Sequence, residues 1–340
     1  MDLKNQSFDV YQRFSAIISL AGSLNLSDKA SILDVGGYPG TLADYLKEAI
    51  PGAHTITLDR PLCPRELYIS GSSEALPFAH SSFDAVLSSD TIEHLTPEQR
   101  ISSIKEMLRV SKRWLVIGAP FRNPCVEFAE EKINALYRKC FKNPYPWLME
   151  HIERRLPDLS LIRKILEETG ARVTVYPNGS IVSWFIMESV QILLDAFPML
   201  SRFRKNLSLS FNTLWAASDD QEPAYRHILF VDKTAASSAM MPSSPSNVTA
   251  LDEDILARLE SLYALADEIS EEILSLLSDP AASTGMLTTG YIRQMEEILA
   301  FQEKEQKRLQ ETICLQKQSM ENLESSLLFR ILRKIGFFRS

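Results

Sequence analysis

No two cysteines stand in a CxxC arrangement; the four in the chain (Cys63, Cys125, Cys140, Cys314) are scattered. That argues against a cysteine-bound zinc site or a disulfide framework and favours a reducing, cytoplasmic setting. The first ten residues, MDLKNQSFDV, lack the basic start and apolar core of a secretory signal. Nowhere do roughly 18 uncharged apolar residues run together, so no membrane-spanning helix is expected. A basic surplus is missing too: the net charge is -8. Nucleic acid, whose phosphates demand clustered Lys and Arg, is therefore not an expected partner.

What is present is ordinary for a soluble globular protein: 340 residues, 45% hydrophobic and 24% charged. At about 150 residues per domain this length suggests two units. Charge is unevenly spread. Residues 1–250 hold 28 acidic and 26 basic side chains, a net of -2, whereas 251–325 hold 16 acidic and 6 basic, a net of -10. The last fifteen, 326–340, hold four basic groups and no acidic one. Residues 234–250, TAASSAMMPSSPSNVTA, carry no charge apart from neighbouring ends and no periodicity, the composition of a flexible linker. Domains are therefore expected at 1–233 and 251–340, with 234–250 between them.

Before the linker, strand-like and helix-like stretches alternate. Strands are predicted over 30–35, 54–58, 83–88, 114–118, 172–176 and 227–231, and helices over 41–50, 97–110, 126–141 and 159–169. Such alternation implies an α/β fold with a mostly parallel sheet covered on both faces. Ligands in these sheets bind beyond the carboxyl ends of the strands, where strand order reverses.

The stretch 32–40, ILDVGGYPG, ends a buried strand at Asp34 and turns through Gly36, Gly37 and Gly40. Glycines permit positive φ and let a ligand approach the backbone. The spacing is not GxGxxG, which weakens a nicotinamide reading, and a tight turn without a ligand would look the same. Asp59 follows the next strand, about 20 residues on, where acids in nucleotide-binding folds accept ribose hydroxyls. Next come 71–78 (GSSEALPF), Ser82-Phe83-Asp84, and Asp90-Thr91-Ile92-Glu93-His94-Leu95.

In that order these motifs resemble the class I S-adenosylmethionine-dependent methyltransferases, especially the branch acting on small molecules and lipids. That branch reads LDxGxGxG, an acid after the second strand, DAExLPF, FDxV and EHL. The resemblance covers 25–120 closely and 121–233 loosely, and implies a Rossmann-like seven-stranded sheet with S-adenosylmethionine as cofactor. It implies that Asp34 and Gly36 face the amino-acid part of the cofactor, with Gly37 and Gly40 completing the loop. Asp59 would hold the ribose, Leu58 and Arg60 would flank the adenosine, and Ser72 and Ser73 would lie beside adenine. Asp90 would begin the loop under the sulfonium, while Phe83 and Asp84 shape the fold. Two departures stand out: Tyr38 replaces the usual middle glycine, and Ser72 replaces the usual adenine-capping Asp, a weaker acceptor for being neutral.

His94, after the fourth strand, and His151, in the variable region, are the candidate catalytic or substrate-binding groups, with Glu150 beside them. No metal site is expected. The apolar-rich segment 180–217 is too polar to span a bilayer and reads either as core or as a lid for a lipophilic acceptor. The layout of 147–151 (WLMEH), 156–158 (LPD), 176–179 (YPNG) and 224–227 (AYRH) is also similar to methyltransferases of bacterial surface-glycan assembly, with Arg155 where glycine is usual. The expected function is O-directed methyl transfer to a glycan or lipid-linked glycan precursor. A methyltransferase for a small lipophilic metabolite and a non-catalytic cofactor-binding scaffold are the alternatives.

Beyond the linker, apolar residues recur in heptads from Ile292 to Arg330, so residues 291–330 are expected to self-associate as a coiled coil, making the chain a homo-oligomer. The end, 327–340 (LLFRILRKIGFFRS), suits docking on anionic lipid headgroups at the inner face of a membrane.

Overall fold

The computed structural model describes residues 2–24, 26–27, 29–196, 201–236 and 250–278. The chain divides into two compact units, Met1–Ser270 and Glu271–Ser340. In the second, the described residues, 271–278, are the last turns of a helix.

The first unit is built on seven strands: β1 (Ser31–Val35), β2 (His54–Asp59), β3 (Tyr68–Ser70), β4 (Phe83–Ser89), β5 (Ser111–Pro120), β6 (Ala171–Ser180) and β7 (Ala224–Ala236). Their spatial order is β3-β2-β1-β4-β5-β7-β6. The first five run parallel, and β7 lies antiparallel between β5 and β6. This is the Rossmann-like seven-stranded sheet that the motifs implied. Order reverses between β1 and β4, so a crevice opens past the carboxyl ends of those two strands.

A strand flanked on both sides must be apolar on both faces. β1 obeys: Ile32, Leu33 and Val35 are fully buried. Ile32 packs with Phe14 and Ile17 of α1 (Phe8–Gly22) and Leu42 and Leu46 of α2 (Thr41–Ala49). Leu33 and Val35 face the opposite core with Ile104 and Met107 of α3 (Pro97–Val110) and Ile162 and Leu166 of α6 (Leu159–Glu167). Helix α3 starts where its chemistry demands. Pro97 occupies the first turn, and Thr96 and Gln99 form a reciprocal capping box. Asn123 caps α4 (Pro124–Phe141) by accepting from the Cys125 N–H, and Asp158 caps α6 by accepting from the Leu161 N–H.

The apolar segment resolves into α7 (Ile181–Asp195) and α8 (Ser201–Leu214). Ile181, Phe185 and Ile192 of α7 are core, while other side chains of the same helix line the crevice. α5 (Pro146–Arg154) carries the WLMEH stretch to the mouth of that crevice.

Two boundaries differ from the sequence expectation. Strand β7 continues to Ala236, so residues 234–236 belong to the sheet. Helix α9 (Ala250–Ser278) lies within the first unit up to Ser270. Its acidic side chains meet basic ones of α4: Glu260 with Lys132 at 3.3 Å and Asp267 with Lys139 at 2.6 Å. Buried Ile255, Leu259 and Ala266 follow helical spacing toward the body. Part of the acidic surplus is thus engaged in contacts with the sheet-bearing body of the first unit. The coiled coil expected over 291–330 and the basic tail at 327–340 lie outside the described residues.

Candidate active site

A cavity of about 730 Å³ opens at the carboxyl ends of β1, β2, β4 and β5. Of the residues singled out by sequence, Gly36, Asp59, Arg60, Ser73, Asp90, His94 and His151 line it. Asp34, Gly37, Gly40 and Ser72 are not among its lining residues, whereas Leu58 and Glu150 are.

One end is made of backbone. Gly36 has φ +78°, and a Cβ there would come within 2.2 Å of Thr91 Oγ1. A Cβ on Gly37 would come within 1.9 Å of Asp34 Oδ2. The turn is therefore pressed between two side chains, and the Gly36 N–H donates to Leu58 O at 2.8 Å. Gly40, φ +93°, serves the start of α2 and not the cavity. Tyr38 takes no left-handed conformation, so replacing the customary glycine costs the loop nothing. Its N–H donates to Asp59 Oδ2 at 3.0 Å, and its ring, 53% exposed, stands at the cavity rim edge-on to Tyr68.

Asp59 also accepts from the Arg60 N–H at 2.6 Å. The Arg60 guanidinium turns aside to Glu74 at 2.5 Å. The Ser72 hydroxyl accepts from the Glu74 N–H at 3.3 Å and shapes the loop; Ser73 is the buried serine on the cavity. Asp34 is 1% exposed, with the Thr57 hydroxyl as the polar group nearest its carboxylate. Burial first, then the charge of Asp59, push its carboxyl up to about 7 against the opposing pull of Arg13.

Asp90, the residue after β4 expected to begin the loop under the sulfonium, lies in a buried ion cluster. Arg226 Nε donates to both of its oxygens, at 2.9 and 3.0 Å, and Arg13 approaches at 3.2 Å. Asp9 pairs with the same Arg226. Burial would raise the Asp90 carboxyl, but the charges of Arg226 and Arg13 hold it below the usual range. The cluster ties α1, β4 and β7 together across the crevice floor.

The other end is made of side chains. The His94 and His151 rings lie 4.9 Å apart. His94 Nδ1 meets Glu150 Oε2 at 3.0 Å, and His151 Nδ1 meets Glu130 Oε1 at 2.9 Å. The Tyr225 hydroxyl donates to the same Glu130 oxygen at 2.9 Å, and its ring stacks on Trp184 with centroids 3.7 Å apart. Burial, then His151, lower the His94 pKa; for His151 burial opposes, but the hydrogen bond and charge of Glu130 prevail and raise it. Glu93 is 1% exposed, and burial followed by the Asp90 charge push it up to about 8. Arg100 fixes this corner, donating from Nε to Ile92 O at 2.8 Å and from Nη2 to Glu93 O at 3.2 Å. Opposite, the Tyr145 hydroxyl donates to Glu188 at 2.8 Å, and burial pushes Glu188 up to about 7.

Sequence reasoning gave no site role to Glu93, Glu130, Glu188, Tyr225 or Arg226. Glu93 was in view, one residue before His94 in the EHL motif, and Tyr225 and Arg226 stand in the AYRH stretch; Glu130 and Glu188 carry no local signal. The cysteine pattern argued against a metal, yet Glu93, His94 and His151 each bring one donor atom to within 4.8 Å of the others.

Residues 33–114 match the family model described as a methyltransferase domain. A demethylmenaquinone methyltransferase of Renibacterium salmoninarum is 29% identical over 167 residues, covering 43% of this chain and 68% of that protein. One from Beutenbergia cavernae is 32% identical over 133 residues, covering 35% of this chain and 54% of the relative. A SAM-dependent methyltransferase structure from Aquifex aeolicus shares 13% identity with a TM-score of 0.35, covering 64% of this chain and 88% of that one. The chain is an S-adenosylmethionine-dependent methyltransferase, and S-adenosylmethionine is its methyl donor. The residues fit that donor. Asp59 makes no ion pair among the described residues, and its charge beside the buried Asp34 gives the glycine turn an acidic character suited to a ligand bearing an ammonium and a sulfonium.

Proposed function

We propose that the chain methylates a hydroxyl of a polar acceptor, a glycan or lipid-linked glycan precursor. The acceptor oxygen comes to the end of the cavity where His94 and His151 meet. The observation that carries this is the lining of that end. Two imidazoles, Glu93, Glu150 and Glu188 offer several acceptors for hydroxyl donors, and Trp147, 62% exposed, and Trp184 offer flat faces for the C–H side of a sugar ring. A pocket for a purely apolar ligand carries few polar groups.

When bound, the donor supplies an electrophilic methyl on sulfur. The chain positions the partners, a contribution that can reach roughly 7–11 kcal/mol. In this reading Asp59 accepts from the ribose hydroxyls, Leu58, Arg60 and Ser73 border the nucleoside, and Asp34 sets the charge beneath the turn. The His94–His151 end receives the acceptor hydroxyl and takes charge of its proton, a role worth about 10²- to 10⁴-fold in rate.

A second reading, a lipophilic acceptor, is favoured by the two relatives named demethylmenaquinone methyltransferase. Methyl-labelled S-adenosylmethionine offered with lipid-linked saccharides and, separately, with quinols decides between them. Label in the saccharides supports the polar acceptor; label only in the quinols overturns it.

A further inference from the structure

Glu93 and His94 stand on the turn after β4, and His151 stands on α5. Two features set this trio apart from an ordinary buried polar cluster. The first is that its inner atoms have no partner. Glu93 Oε2 and His151 Nε2 are buried without a hydrogen bond, on side chains 1% and 6% exposed. Buried polar atoms are nearly always paired, and an orphaned carboxylate oxygen close to an orphaned imidazole nitrogen is costly on both counts.

The second feature is that the outer atoms are all occupied. Nδ1 of each histidine faces a carboxylate, Glu150 for His94 and Glu130 for His151. A carboxylate on Nδ1 holds the proton there and leaves the Nε2 lone pair directed inward, the usual way metal-binding histidines are oriented. Glu130 is itself fixed by the Tyr225 hydroxyl. Such a chain of supports prepares a ligand for an ion; a surface histidine has no use for it.

We infer that Glu93, His94 and His151 form a two-histidine, one-carboxylate site for a divalent transition-metal ion at the acceptor end of the cavity. Two imidazole nitrogens favour Zn²⁺, Co²⁺ or Fe²⁺ over Mg²⁺ and Ca²⁺, which prefer oxygen throughout. Bonds of about 2.0–2.2 Å draw the donors inward from their present spacing. Three protein ligands leave positions open toward the cavity, and an acceptor hydroxyl fills one. With both imidazole nitrogens on the ion, the ion takes over their part as base: it acidifies the hydroxyl, the O–H bond breaks, its electron pair stays on oxygen, and the proton passes to water at the mouth. This last role rests on the cavity being the acceptor site; the ion site does not.

Untagged full-length protein, stripped with a chelator, is titrated with Co²⁺ and then Zn²⁺ in the absence of any nucleoside. The expected result is uptake of one equivalent of Co²⁺ with nitrogen-ligand absorption bands that Zn²⁺ abolishes. Glu93→Gln and His94→Ala each weaken binding by at least about tenfold. Glu130→Gln, which acts through His151 as a positioning change, weakens it about 10- to 100-fold. Thermal melting of the metal-free variants separates lost ligation from lost folding. No uptake by the parent, or undiminished uptake by a folded His94→Ala chain, overturns the proposal. Titrating the same stripped protein with S-adenosylmethionine keeps the two ideas apart. Donor binding without Co²⁺ uptake removes the ion alone, and Co²⁺ uptake without donor binding removes the methyl-transfer reading alone.

Discussion

The two ends of the cavity are built by opposite means. The end proposed for the donor is local: β1, the glycine turn and the tip of β2 lie within 31–59, with backbone groups and two acids at its centre. The acceptor end is assembled from the turn after β4, from α4, α5 and α7, and from β7, with side chains making every contact. Motifs therefore report the donor end, while acceptor chemistry emerges only when distant elements meet. The same split divides what a substitution should damage.

The largest effect is expected from His94→Ala, which should lower kcat by about 10²- to 10⁴-fold while leaving donor affinity unchanged. Equal losses in both would erase the distinction between the ends. Arg226→Ala comes next. It leaves Asp90 and Asp9 without their shared cation, and breaking a buried pair costs about 3–5 kcal/mol, readable as a lowered denaturant midpoint.

Asp34 sharpens the comparison through pH. Its carboxyl titrates at about 7 in the folded chain against an ordinary 3.8. Between those values the folded state binds more protons than the unfolded one, so this contribution to stability is lost as pH rises toward 7 and levels off above it. Asp34→Asn should remove that loss, stabilising the protein at pH 8 by up to about 4 kcal/mol and little at pH 4. Urea melts at the two pH values check it, and a gain equal at both would contradict it. The smallest effect belongs to Tyr38→Ala. Only its backbone N–H serves Asp59, so donor affinity should stay within about twofold, as for other exposed side chains. A larger drop by calorimetry would show that the ring itself contacts the donor.

How far the sequence could be read follows the same division. Helix α3 was placed residue for residue because Pro97 and the Thr96–Gln99 box announce its start. The parallel strands were plain from their apolar runs. Strand β3, three residues long, is too short for periodicity to show. Helix α1 escaped notice because two of its charged residues, Asp9 and Arg13, turn toward the crevice and break the apolar pattern. The ion cluster around Asp90 was not legible because its partners Arg226 and Arg13 lie 136 and 77 residues away. Tyr38 looked like an obstacle because the alternating-glycine pattern suggests a left-handed residue there, whereas Gly36 and Gly40 carry the positive φ angles.

Calorimetric titration of S-adenosylmethionine into the parent protein and into Asp59→Ala and His94→Ala bears most directly on a cavity with separate donor and acceptor ends. One site should appear in the parent, weakened more than about tenfold by Asp59→Ala and untouched by His94→Ala. Absence of heat in the parent, or the reverse ranking of the two variants, would contradict it.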